Sequence, residues 1–206
     1  LCACAVRRGS PMTREQAGAI VDRTGGWAAA AALCLEAEGA AAGLDELLYA
    51  LVWDRLDEER RQGLLRLCLF DRITPELLDA VLPPDLLPGR ARAELLDRTP
   101  LIRRAPARGE RYPHELLLRF LRARLAETAE PLRREIYRRA GQWYRRTGAT
   151  RAAVDCFFRG EDDEGVLSCR LVGLITEMFG CVSYTALART VLRRCPEEVQ
   201  RRYPLS

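Results

Sequence analysis

The sequence predicts a mainly α-helical chain with one short β-hairpin and a set of αα-hairpins behind it. Three observations lead there. Apolar residues recur every three to four positions over most of the chain, the period of helices with one buried face. A single stretch, Leu101–Tyr112, combines extended character with a tight turn. Gly and Pro mostly punctuate the periodic segments rather than interrupt them. The 206 residues, 48% of them apolar, suffice for one large domain or two to three small ones.

The first helix begins at Thr13, whose hydroxyl and Gln16 make a capping box. Ala17, Ile20 and Val21 form its stripe, and Thr24-Gly25-Gly26 ends it. Trp27 to Glu38 reads as a second helix, apolar on most sides, followed by the small residues Ala40 to Gly43. From Leu44 the pattern tightens: Leu47, Leu48, Leu51, Val52 and Leu56 belong to one helix, Leu64 to Leu69 to the next. Thr74-Pro75-Glu76 supplies an N-cap and a first-turn proline. The short helix it opens stops at Pro83-Pro84, and another spans Ala91 to Arg98.

The hairpin follows, with Leu101–Arg104 and Glu110–Tyr112 flanking a turn at Pro106–Gly109. His114 to Ala126 closes this region as a helix, with Leu117, Phe120, Leu121 and Leu125 inward. Helices, then a hairpin, then a closing helix trace a winged-helix-like outline. Beyond Pro131, Leu132, Ile136, Ala140, Trp143 and Tyr144 share a face. Gly148 turns the chain into a helix lined by Ala152, Ala153, Cys156 and Phe157, an αα-hairpin. Two further helices are expected near Glu164–Met178 and Tyr184–Arg194, the start of a helical-repeat array.

Composition excludes several chemistries. All 33 basic residues are arginine. A P-loop needs a lysine at the β/γ-phosphates, and Schiff-base catalysis needs a lysine amine. The single histidine, His114, excludes a two-His zinc site. The eight cysteines form no C-x-x-C pair and fall mostly inside helical patterns, as small buried hydrophobes of a reducing cytoplasm do. The longest apolar run, Trp27 to Leu35, is half of what a bilayer requires. No nucleophile triad or acid–base carboxylate pair is visible, and no enzyme activity is expected. A chain starting at Leu1 and stopping at Ser206 is expected to be an internal piece of a longer polypeptide.

Three blocks in order resemble one family, the MalT-type large LuxR-family transcription regulators of the STAND class of ATPases. Thr24-Gly25-Gly26-Trp27 resembles the family's TGGW signature. Arg111-Tyr112-Pro113-His114-Glu115-Leu116 through Phe120-Leu121-Arg122-Ala123-Arg124-Leu125 is similar to the block that closes its winged helix. Arg138-Arg139-Ala140-Gly141-Gln142-Trp143-Tyr144 with Gly148 and Ala153 is similar to the hairpin that begins its helical arm. Two positions depart: Pro113 replaces the first of paired histidines, and Phe157-Phe158 replaces His-Ala.

The resemblance implies three parts. Residues 1–42 would end the helical subdomain of a nucleotide module, 43–127 would form the winged-helix-like domain, and 128–206 a truncated TPR-like arm. It also implies a P-loop module before the chain and a DNA-binding helix-turn-helix after it, with ATP or ADP bound by the parent protein and not by this segment alone. The expected partners are those neighbouring modules of the same chain, with DNA met only through the absent C-terminal domain and no membrane. In the family a histidine starting the last winged-helix helix contacts bound ADP, and His114 stands at that place. A helix N-terminus with its free N–H groups suits a phosphate, and an imidazole N–H adds a donor. The alternative for His114 is a local role at the end of the hairpin.

Other candidates have simpler readings. The pairs Arg103/Arg104, Arg133/Arg134, Arg138/Arg139 and Arg145/Arg146 are interspersed with carboxylates, as on solvated helix faces, rather than grouped into a nucleic-acid surface. Trp27, Trp53 and Trp143 lie on apolar faces and are expected in cores rather than around a ligand. The leading expectation is a cytoplasmic regulatory switch and arm, hinged at Ala40–Gly43 and Thr128–Pro131. Its rivals are a helical-repeat interaction scaffold without a nucleotide link, and a winged-helix DNA binder.

Overall fold

The computed structural model describes residues 12–24, 45–46, 48–105, 109–169, 189–190 and 192–203. The fold is mainly α-helical with one two-stranded antiparallel hairpin. The chain divides into two compact units, Leu1–Pro75 with Pro84–Arg124, and Glu76–Pro83 with Leu125–Ser206. Trp27, the expected helix Trp27–Glu38 and the Ala40–Gly43 hinge lie outside the described residues, as does most of the expected pair Glu164–Met178 and Tyr184–Arg194.

In the first unit α1 spans Arg14–Thr24. Its capping box is made: the Thr13 N–H donates to Gln16 Oε1 at 2.8 Å, and the Gln16 N–H to Thr13 Oγ1 at 3.2 Å. Ala17 and Ile20 are buried, but Val21, expected on the same stripe, is 42% exposed. The expected helix from Leu44 becomes a π-helical turn at Tyr49–Trp53, where the Asp54 N–H donates five residues back to the Tyr49 carbonyl at 2.8 Å. The wider turn keeps Leu48 and Val52 buried and brings Leu51 and Leu56 to a cavity wall.

Helix α2 spans Glu58–Leu67, capped by Asp57, whose carboxylate accepts the Arg60 N–H at 2.8 Å. Glu58 and Glu59 in its first turn favour the positive end of the helix dipole. Gly63 lets Leu87 and Leu95 approach so closely that a Cβ would meet each at 2.9 Å. Helix α3, Pro75–Val81, follows, with all but its first residue in the second unit. Helix α4 spans Gly89–Arg98 and buries Leu95 and Leu96.

Strands β1, Ile102–Arg104, and β2, Arg111–Pro113, pair with Ile102 opposite Pro113 and Arg104 opposite Arg111. Ile73, between α2 and α3, adds an isolated bridge to Arg111, so a third backbone segment extends the expected hairpin. Helix α5, Glu115–Glu127, buries Leu116, Leu117, Leu118, Phe120, Leu121 and Leu125. Arg122 ties it to α2 through the Cys68 carbonyl at 3.0 Å, and the Phe120 ring meets Trp53 edge-on at 6.2 Å.

The second unit is built on α6, Glu130–Arg146, and α7, Thr150–Arg159, turned through Gly148 at φ +80°. Phe157, 1% exposed, is its central ring. A Cβ at Gly141 would meet that ring at 2.7 Å, and one at Gly165 at 2.5 Å. Short helices α8, Asp163–Leu167, and α9, Glu197–Arg202, complete the described part. Val166, Leu167, Cys169 and Cys195 join Ala153, Val154 and Phe157 in one core.

Trp143 departs from the expected core position. It is half-buried, because three residues beyond Ala140 the helix has turned it to the edge of the buried stripe. Arg146 lies over its ring, 5.0 Å from the centroid. Trp53 is likewise half-buried, under Arg61 at 5.6 Å. The break between α5 and α6 is short, and Arg133 clamps it by donating to the carbonyls of Ala126 and Thr128 at 3.2 Å.

Candidate functional site

His114 sits between β2 and α5 and is half-buried. Its N–H donates to the Leu101 carbonyl at 2.7 Å, and its own carbonyl accepts the Leu118 N–H at 3.1 Å. The ring folds over the start of α5, where Nδ1 accepts the Leu116 N–H at 3.2 Å. His114 is therefore the N-cap of α5, satisfying one of the donors a helix leaves open. In a neutral imidazole an accepting Nδ1 leaves the proton on Nε2. Among the described residues Nε2 has no hydrogen-bond partner.

The surroundings set limits on what this place does. The ring occupies one helix N-terminal donor. Glu115, the first helical residue, adds a carboxylate, offset by Arg122 at 3.6 Å. A bound anion would meet the Nε2–H and the remaining open N–H groups of the first turn.

Three features beside His114 were not expected from the sequence. Leu101 holds φ +68°, a left-handed conformation unusual for a branched apolar residue. Its carbonyl anchors His114, so backbone strain lies one hydrogen bond from the candidate residue. Arg111 is 7% exposed. Its guanidinium donates to Asp97 Oδ1 at 3.0 and 2.7 Å and to the Gly109 and Glu110 carbonyls at 2.9 and 3.3 Å. Its backbone exchanges two 2.9 Å hydrogen bonds with Ile73. One buried side chain thus locks the wing to α4. The third feature is a cavity of about 300 Å³ between the π-helical turn and α4. No local signal marks any of the three, since each depends on residues brought together by the fold.

The remaining candidates divide. Arg134 pairs with Glu130 and with Glu161, the latter at 2.5 Å, and Arg139 pairs with Glu135. Arg103 and Arg104 are exposed on β1. Cys68, Cys156, Cys169 and Cys195 are free and buried, while Cys2, Cys4, Cys34 and Cys181 lie outside the described residues. Burial pushes the Cys68 and Cys156 thiols up to about 12, which keeps them protonated and unreactive near neutrality. Among the described residues no group of three His, Cys, Asp or Glu is placed to hold a metal ion. No described helix is long and apolar enough to cross a membrane.

Residues 49–134 match the family model of the MalT winged helix domain. That span runs from the π-helical turn through α2–α4, the hairpin, His114 and α5 to the first turn of α6. No curated protein and no solved structure matches the chain.

Proposed function

We propose that this chain is the switch and arm segment of a cytoplasmic, ATP-dependent LuxR-family transcription regulator of the STAND class. The observation that carries the reading is the match of residues 49–134 to the MalT winged helix domain. In this reading the winged helix holds ADP in the resting state, and the αα-hairpin of α6 and α7 begins a TPR-like arm that relays inducer binding to a DNA-binding domain elsewhere in the parent. The segment itself catalyses nothing; the nucleotide is held mainly by the preceding module. His114 supplies one contact, donating Nε2–H to a phosphate oxygen. Its support is geometric: Nδ1 is spent on the helix, which leaves Nε2 as the ring's donor, without a partner among the described residues.

Such a switch works only if the contact exists in one state and not the other. A hydrogen bond to a charged phosphate contributes about 1.5–3 kcal/mol. The test is ADP release from the parent protein, with transcription measured without inducer, for wild type and His114→Ala. Faster release together with inducer-independent transcription supports the reading. Unchanged release and unchanged transcription in a folded variant refute the assignment of His114.

A further inference from the structure

We propose that the cavity between the π-helical turn and α4 is a binding site for a small phosphate monoester with an apolar body. This goes beyond the nucleotide reading and does not rest on it.

The floor is apolar: Val52 and Leu95 are each 2% exposed, and Leu56 is half-buried beside them. The rim is cationic, with Arg55, Arg60 and Arg98 against the single carboxylate of Glu94. All three guanidinium groups can turn to a ligand without stranding a partner. Arg55 makes no ion pair among the described residues. Arg60 pairs with Asp57, but Asp57 keeps its backbone hydrogen bond as the cap of α2. Arg98 is 3.7 Å from Glu94, which also holds Arg90 at 3.0 Å and so stays neutralised if Arg98 swings away. These are exposed pairs, worth little to the fold.

The chemistry follows from that arrangement. Guanidinium forks match phosphate oxygens two at a time. The cavity's roughly 300 Å³ lies at the small end of ligand pockets, which suits one compact body over the apolar floor. The π-helical turn is what widens the backbone there, and such turns recur at functional sites. The opposite wall, Thr99 and Pro100, leads directly into strained Leu101, so an occupant presses on the segment that anchors His114.

Calorimetry on the 206-residue chain tests this with phenyl phosphate, inorganic phosphate and ADP as probes. The expected result is saturable binding of phenyl phosphate, about tenfold tighter than inorganic phosphate and weakened about tenfold by Arg55→Glu or Arg98→Ala, with melting unchanged. Absence of saturable phenyl phosphate binding overturns the site. Equal affinity for inorganic phosphate overturns the apolar-bodied ligand. Binding indifferent to both substitutions overturns the cationic rim. ADP binding more tightly than phenyl phosphate and displacing it would make the cavity part of the nucleotide site, and overturns the proposal as well.

Discussion

In the first unit the wing is fastened by polar contacts that converge on Arg111; in the second, the helix pair is fastened by the Phe157 ring pressed between Gly141 and Gly165. A buried guanidinium holds by direction, since each N–H needs its acceptor. A ring between glycines holds by contact and leaves no room for another atom. The wing should therefore be sensitive to the chemistry of one side chain. The arm should be sensitive to volume and indifferent to charge.

The largest effect is expected from Phe157→Ala. Truncating a fully buried phenylalanine costs about 3–5 kcal/mol, much of the stability of a small domain. Chemical denaturation followed in the second unit should show this loss, with the wing's transition unmoved. Gly141→Ala and Gly165→Ala approach the same ring from outside, and overpacking should cost about 1–3 kcal/mol each. If Phe157→Ala melts like wild type, the ring is not the centre of the arm.

Arg111→Met comes next. It keeps the apolar length of the side chain and removes the guanidinium bonds to Asp97 and to the Gly109 and Glu110 carbonyls, the second of which still accepts the Ala105 N–H at 3.0 Å. Asp97 is partly exposed and can recover water, so a loss of about 2–3 kcal/mol is expected rather than that of a fully buried pair. Arg111→Lys should recover little, because one ammonium cannot reproduce the fork. Full recovery by lysine would show that charge, not direction, fastens the wing.

These two anchors were unequally legible. Phe157 could be placed in the core from helical spacing, and the two facing glycines show what its ring packs against. Arg111 was hidden because its partner Asp97 lies fourteen residues away on another element, and no local pattern joins them. The capping box at Thr13 and the presence of the hairpin are local and could be read directly, although its second strand begins one residue later than the sequence suggests. The π-helical turn could not, because apolar spacing does not distinguish a donor four residues back from one five back. Trp143 was placed in the core because it shares a helical face with Ile136 and Ala140, but it lies at the edge of that face, where an arginine covers it. His114 stood out by resemblance alone; its capping of α5 depends on the ring's fold-back.

A third measurement asks whether the units share any property. Cys68 in the first and Cys156 in the second both have thiols raised from 9.0 to about 12, mainly by desolvation. A raised thiol binds its proton more tightly in the folded state. The associated stability is therefore full below pH 9 and is lost as pH climbs toward 12. Cys68→Ala and Cys156→Ala should each flatten the alkaline decline of stability over that window. If only one does so, the two cores differ in solvent access as well as in fastening.

The smallest effect on stability, and the sharpest on function, is expected at His114. The residue has two separable parts: Nδ1 caps α5, and Nε2 has no hydrogen-bond partner among the described residues. Asparagine is a strong N-cap, because its short side-chain oxygen reaches the same backbone donors, whereas alanine is poor. His114→Ala should therefore lose about 1 kcal/mol of stability and His114→Asn almost none. Both remove the imidazole donor. If that donor reaches a phosphate only in the resting state, both variants should release ADP roughly ten- to a hundredfold faster in the parent protein, the equivalent of 1.5–3 kcal/mol. Should His114→Asn hold ADP like wild type while His114→Ala does not, then the cap is the whole of the residue's role, and the polar closure of the winged unit ends at the helix rather than at the nucleotide.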